Sequence, residues 1–240
     1  MKRVLITAPL RQEIKIFKEY QKALDRLIIP EGVTVDRFYV VNDCPEIIPE
    51  ITSGSYTVIN TGDLYKKTDT DHLWTYQNLD KMPLLRNRTI EAAKGFDYWW
   101  SIDTDLIVQP ETLVALLEAD KDIVSEVFWS TTQREWCNAW LYDQLDDGGM
   151  SKMWKYEGLY RVGGTGACAL VKTSAFDKGL SYSPIPNIRR ALWGEDRWFS
   201  IRAAVLGIEM WLDTHYPAEH LFTDDLYNDY MRRINNDKHN

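Results

Sequence analysis

The chain has few cysteines, no long apolar run and no concentration of basic charge. Cys44, Cys137 and Cys168 are odd in number and far apart, with no C-x-x-C pair. That excludes a disulfide framework and is the usage expected of reduced, buried thiols. No window approaches the roughly eighteen consecutive apolar residues of a membrane span. The opening MKRVLITAPLRQE has a basic pair but, before Arg11, only about six apolar residues, too few for a signal-peptide core. RVLITA reads better as a strand, and a cytoplasmic protein is expected. Lys and Arg total 28 against 36 Asp and Glu, a formal net charge of −8. The densest basic stretches, LRNR and NIRRALW, make no stripe, so charge does not indicate nucleic acid as a partner. An acidic protein that handles a phosphorylated ligand needs a cation between the two. Internal repeats, low-complexity tracts and a convincing linker are also missing. Residues 1–240 therefore read as one domain.

What is present is a globular composition, 45% hydrophobic and 12% aromatic. The first half alternates strand and helix signals. RVLITA is followed by the amphipathic EIKIFKEYQKALDRLI, then by the strand TVDRFYVVND and a short third strand in SYTVINTGD. A helix is expected after Pro83, closed by Gly95. DYWWSID is the next strand, PETLVALLEA a helix with proline in its first turn, and DIVSEVFW a buried strand. Such alternation implies βαβ units with right-handed crossovers and an α/β fold built on a mainly parallel, Rossmann-like sheet flanked by helices. The second half is less regular. Trp129 to Lys155 reads as a long loop, GGTGACALVK as a glycine-rich turn entering a strand from Ala167 to Lys172, and WGEDRWFSIRAAVLG as a helix. IEMWLD is a strand and DDLYNDYMRRI a terminal helix.

Ligands of open α/β sheets sit beyond the carboxyl ends of the strands. Asp43 falls at one such end, and Asp103 and Asp105, two residues apart, at another. Magnesium and manganese prefer oxygen ligands and commonly take one or two carboxylates together with substrate phosphates. The pair fits that use, although it would serve equally to cap the following helix or solvate a loop. Glu195 and Asp196 open a helix, where the dipole favours ionised carboxylates. On that ground Asp196 is expected to have a lowered proton affinity. Trp193 or Trp198 would offer a ring face to a sugar or pack in the core.

RNRTIEAAKGFDYWWSIDTDLIVQPETL resembles the nucleotide-sugar-binding core of GT-A-type glycosyltransferases, especially the family 2-like enzymes. There an Arg-Asn pair opens a helix, a strand follows and a DxD motif ends it. TAPLRQE, VVNDC, GGTGACALVK, WGEDRWF and WLDTHYPAEHL resemble further family segments in the same chain order. The resemblance implies a GT-A fold, with residues 1–105 as the nucleotide-sugar half and 106–240 as the acceptor and catalytic half. It implies donor contacts from Ala8, Pro9, Arg11, Asp43, Arg86, Asn87, Asp103, Thr104 and Gly164. It further implies Mn2+ or Mg2+ held by Asp103, Asp105 and His220, which the family spacing selects over His215. Asp196 becomes the general base of an inverting transfer, with Glu195 beside it. The implied donor is a UDP- or GDP-sugar, and the acceptor is left open among glycan, lipid, protein and modified nucleobase. PLRQE is not the commonest first-strand ending of the family. The Gln-x-x-Arg-Trp motif of processive synthases is absent, which points to a single addition. Trp129 to Arg161 matches no family segment. A sugar nucleotidyltransferase would carry a glycine-rich, basic phosphate loop that APLRQE lacks. A non-catalytic nucleotide-sugar-binding module is the other alternative.

Overall fold

The computed structural model describes residues 1–62, 76–130, 137–141, 154–188 and 194–237. RVLITA lies inside β1 (Lys2–Leu10), whose Val4 to Ala8 are buried without alternation, as in a strand covered on both faces. α1 (Ile14–Asp25) turns Ile16, Phe17, Tyr20, Ala23 and Leu24 inward at helical spacing. β2 (Val33–Val41) returns parallel to β1, and β3 (Ser55–Val58) adds outside it after a short 3-10 turn at Pro45–Glu50. α2 (Tyr76–Ala92) leads to β4 (Tyr98–Ser101), parallel to β1 on its other side. β5 (Leu106–Ile107), α3 (Thr112–Glu118) and β6 (Ile123–Phe128) follow.

The later strands are β7 (Ala139–Trp140), β8 (Leu159–Val162), β9 (Gly164–Thr165) and β10 (Ala169–Lys172). α4 (Ser174–Asp177), α5 (Gly194–Val205), β11 (Met210–His220) and α6 (Asp224–Asp237) complete the order. The main sheet runs β3-β2-β1-β4-β10-β6-β11-β5, with β8 beside β11. Its parallel strands β1 to β4 and the parallel pair β6 and β11 are joined by β10, which is antiparallel to β4 and β6. An apolar core covers each face. One includes Phe17, Tyr20, Trp100 and Leu116, the other Trp99, Val171, Phe199 and Ala203.

Three features depart from the sequence reading. α2 runs through Pro83 rather than starting after it. A proline inside a helix costs about 3 kcal/mol. Burial of Leu85 and the ion pairs of Arg86 with Glu195 and Asp103 hold the same helix in place. The supposed loop after Trp129 contains β7, which pairs with β9 in a separate two-stranded sheet. Two residues are too few to show alternation, and the partner lies some twenty-five residues away.

β11 is also longer than IEMWLD. It continues through a bulge to His220. Between the pairings Asp213↔Glu126 and Ala218↔Phe128, β11 advances five residues while β6 advances two. The carboxyl of the fully buried Glu126 fills the gap, its Oε1 accepting from Val127 N at 3.2 Å. The Tyr216 backbone N–H also lies close enough to favour its ionised form. Bulges of this kind re-aim the strand that follows. Here they bring His220 opposite Leu106, next to Asp105.

Candidate active site

β1, β2 and β4 end at one edge of the sheet, and the chain beyond β4 carries Asp103, Thr104 and Asp105 there. Arg86, on the inner face of α2, is the organising charge at that edge. It is 2% exposed. Its Nε donates to Glu195 Oε1 at 2.7 Å, and its fork meets Asp103 at 3.0 and 3.1 Å. Nη1 also donates to Ser101 Oγ at 3.2 Å, and the guanidinium stands 5.6 Å from the centre of the Tyr182 ring. Burial alone would weaken its charge, but Asp103, Glu195 and Asp196 outweigh burial and raise its proton affinity well above the ordinary value. One planar cation thus fixes α2, the end of β4 and the start of α5 together.

Asp196 follows Glu195 in the first turn of α5. Its Oδ1 is buried with no hydrogen-bond partner in the described protein. Burial, and after it the charge of Glu195, push its proton affinity well above the ordinary carboxylate value. Arg86 opposes that shift and Asp103 adds to it. The lowered affinity expected from the helix dipole is therefore overturned: the dipole acts within one turn, whereas desolvation and a like charge act directly on the carboxyl. Gly166 lies against it, and a Cβ there would sit 2.7 Å from Asp196 Oδ2. Beyond that glycine, Ala167 and Cys168 have φ of 22° and 52°, a left-handed turn costly for residues with side chains.

Asp105 and His220 meet at the other end of the same edge. His220 Nε2 is 3.6 Å from Asp105 Oδ2, beyond a hydrogen bond. Two atoms each held at about 2.1 Å by one cation stand roughly 3–3.5 Å apart. The pair fits as two ligands of one ion with little movement. The imidazole lies between the rings of Phe128 and Phe222, with centroids at 4.9 and 4.5 Å. Its Nδ1 is buried without a hydrogen-bond partner. Leu221 N donates to Asp105 O at 2.8 Å, locking the two segments together.

Asp103 does not join them. Both of its oxygens face the Arg86 fork, and among the described residues no three His, Cys, Asp or Glu side chains gather as a metal cluster. Of the three ligands expected from the sequence, Asp105 and His220 are brought together, while Asp103 is paired with the buried guanidinium.

The other expected donor residues are dispersed in role. Asp43, at φ 48°, accepts from Gly62 N at 3.1 Å and Asn42 Nδ2 at 3.0 Å, and from Thr61 through both its N–H and its hydroxyl. It braces the exit of β3. Asn87 accepts from Tyr182 N at 2.9 Å and donates to Ser183 Oγ at 3.2 Å, tying α2 to the chain before α5. Ala8 and Thr104 are buried, while Pro9 and Arg11 are half-buried at the end of β1. Gly164 lies under the Trp140 indole, where a Cβ would collide with three ring atoms. Trp198 is 3% exposed and presents no open ring face. Trp193 lies outside the described residues. Ser101, Tyr182 and Gly166 were not singled out from the sequence. Nothing local distinguishes the first two, although Gly166 sits in the conspicuous GGTG.

No family model matches the chain, and comparison with curated proteins finds no match. Solved structures do match. S. aureus TarS 1-349 aligns over 90% of this chain and 60% of its own at 12% identity, TM-score 0.51. GalNAc-T7 with UDP, GalNAc and Mn2+ aligns over 92% of this chain and 44% of its own at 11% identity, TM-score 0.55. The mannosyltransferase PcManGT from Pyrobaculum calidifontis, in complex with GDP-Man and Mn2+, aligns over 90% and 56% at 12% identity, TM-score 0.52. The chain spans about two fifths to three fifths of those proteins. Among the described residues no helix is long and apolar enough to cross a membrane. With its mixed α/β sheet, the chain has the fold of the GT-A glycosyltransferases.

Proposed function

We propose that the protein is a metal-dependent glycosyltransferase that moves a sugar from a nucleotide-sugar donor to an acceptor, with inversion at the anomeric carbon. The observation that carries this reading is Asp196, a buried carboxyl with one unpartnered oxygen and a raised proton affinity at the ligand-binding edge of the sheet. A carboxylate held there is a stronger base than a solvated one. Once ionised, it accepts the proton of an acceptor hydroxyl as that oxygen attacks. Arg86 favours the ionised form and keeps Glu195 from competing, because Glu195 is spent on the guanidinium. Solved neighbours of the fold hold UDP or GDP-mannose with Mn2+, so a UDP- or GDP-sugar is the donor class.

Asp105 and His220 would hold Mn2+ or Mg2+. Such an ion supplies Lewis-acid stabilisation of the departing nucleoside diphosphate. Asp103 positions Arg86 instead of binding the ion. Asp43 and Asn42 shape the wall where the nucleoside end would lie, and Pro9 and Arg11 border it. Glycine and small-residue contacts aside, one domain carries the site, with residues 1–105 on the donor side and 106–240 supplying the base and acceptor side. Three scattered cysteines without a disulfide framework support a reducing, cytoplasmic compartment as part of this reading.

The test is a thermal-shift panel of sugar nucleotides with and without Mn2+, followed by the anomeric configuration of the product. A donor at a hundred times its Kd should stabilise the fold by about 2.7 kcal/mol, and only when the metal is present. A panel in which no nucleotide sugar raises Tm would refute the donor class. A product that keeps the donor's configuration would refute the inverting base.

A further inference from the structure

Gly166, Ala167 and Cys168 form the turn that puts a glycine against Asp196, and the last two pass through left-handed backbone. Residues with side chains stay in that region only where their surroundings over-determine them. Here three consecutive carbonyls of the turn are held, from β6 and from the residue just before β7. Asn138 Nδ2 donates to Gly166 O at 3.2 Å, Ser125 Oγ to Ala167 O at 3.0 Å and Glu126 N to Cys168 O at 3.2 Å. Gly166 N donates in return to Asn138 O at 2.8 Å. Both backbone groups of the glycine beside the base are therefore engaged by Asn138.

The remaining contacts of Asn138, which is 8% exposed, lead to the other end of the site. Its Oδ1 accepts from Phe128 N at 3.0 Å, and its own N–H donates to Phe128 O at 3.3 Å. Nδ2 also faces Glu126 O, Ser125 Oγ and Thr165 Oγ1 at 3.0, 3.2 and 3.3 Å. Only one orientation of the amide gives every atom its complement. Phe128 in turn stands edge-on to His220, with ring centroids 4.9 Å apart. A metal-ligating histidine is ordinarily oriented by a hydrogen bond from its second ring nitrogen. His220 Nδ1 has no such bond, so its orientation rests on the neighbouring rings. One amide thus braces Gly166 against Asp196 and Phe128 against His220.

Resting on the glycosyltransferase reading above, we infer that Asn138 is a positioning residue for both halves of the site, setting the Gly166 wall that keeps water from the base and the Phe128 ring that orients the metal ligand. Removing its amide takes a donor from Gly166 O and the acceptor from Phe128 N. The strained turn then relaxes, water reaches Asp196, and its carboxylate is better solvated. Loss of an amide that only packs the core would cost stability and nothing else.

The experiment uses the whole chain as wild type, N138A, N138S, S125A and L24A. Two readouts need no acceptor. The Asp196 carboxyl is titrated by 13C NMR, its signal assigned by its loss in D196N, and Mn2+ affinity is read from the electron paramagnetic resonance of the free ion. The charged groups facing Asp196 are Glu195 beside it, Arg86 from α2 and Asp103 beyond β4, with the Tyr182 hydroxyl close enough to feel its charge. All are the same in the five proteins. N138A should move the Asp196 midpoint down toward the ordinary carboxylate range and weaken Mn2+ binding about tenfold. N138S, which keeps a hydroxyl, should fall between wild type and N138A, and is read on the same criteria where N138A does not fold. S125A frees Ala167 O but leaves the Phe128 contacts, so it should shift Asp196 and spare Mn2+. L24A, a change in the core of α1, should lower Tm and move neither readout. An Asp196 midpoint unchanged in the Asn138 variants and S125A overturns the wall. Unchanged Mn2+ affinity in the Asn138 variants overturns the brace on His220. L24A matching them in both readouts reduces Asn138 to a stability residue and overturns the inference. A wild type that binds no Mn2+ overturns the metal-dependent reading itself, whereas wild-type binding with any of the earlier failures leaves that reading standing.

Discussion

Glu126 should make the fold lose stability as pH rises, and Glu126→Gln should remove that loss. The carboxyl is fully buried, with Oε1 on Val127 N and Oε2 without a partner. Burial first, and the neighbouring Asp213 second, push its pKa from 4.5 up to about 9. Between those two values the folded protein keeps a proton that the unfolded chain has released. The folded state binds more protons, so stability must fall with pH across the window. The contribution is fully present below pH 4.5, declines by about 1.4 kcal/mol per unit, and is lost by the folded pKa. From pH 5 to pH 8 that amounts to about 4 kcal/mol, a large part of a typical 5–15 kcal/mol total. Glutamine keeps a carbonyl for the bulge N–H groups and has no proton to lose. Asp196 also has a raised affinity, but it is present in both proteins and cancels in the difference. Urea unfolding of wild type and E126Q at pH 5, 6, 7 and 8 gives that difference directly. It should move in favour of the variant by about 1.4 kcal/mol for each unit. Parallel profiles, with a gap constant over three pH units, would show that Glu126 is ionised in the fold and that the account of the bulge is wrong.

Asp105→Asn and His220→Ala should each weaken Mn2+-dependent donor binding at least tenfold in calorimetric titrations, and unchanged affinity in both would remove the metal pair. Asp103→Asn should instead act through Arg86, lowering the urea midpoint while the Mn2+ requirement persists. Gly166→Ala puts a methyl group against Asp196 Oδ2, so kcat should fall while donor KM holds. A variant of normal kcat would show that the carboxyl yields easily. Asp196→Asn should slow transfer by about 10²–10⁴-fold and abolish a rate limb that in wild type rises with pH above the ordinary carboxylate range. Near wild-type transfer would exclude Asp196 as the base.

Much of the first half of the chain was legible because local pattern and tertiary role coincide there. Buried strands read as apolar runs, α1 shows its inward stripe, and Asp103 to Asp105 follow a strand end where ligands of such sheets collect. Longer-range features left no local mark. The bulge in β11 depends on Glu126, some ninety residues earlier in the chain. β7 exists only because Gly164 and Thr165 lie opposite it. Arg86 reads as one more helix charge until Asp103, Glu195, Ser101 and Tyr182 are seen around it.

Asp196 shows where sequence position alone misleads. Its place in the first turn of α5 is visible in WGEDRWF and argues for an easily ionised carboxylate. The sign reverses once burial is known, because removing a carboxylate from water costs more than the helix terminus returns. Glu195 adds to the reversal through its charge, while the Arg86 contact that Glu195 also makes keeps the ionised state within reach. That balance has a chemical consequence. A base of ordinary carboxylate affinity would take a hydroxyl proton only late, when the new bond is nearly made. For the base proposed above, the raised affinity would let proton transfer begin earlier. The two adjacent carboxylates therefore divide the work, Glu195 neutralising the buried cation and Asp196 holding the proton affinity.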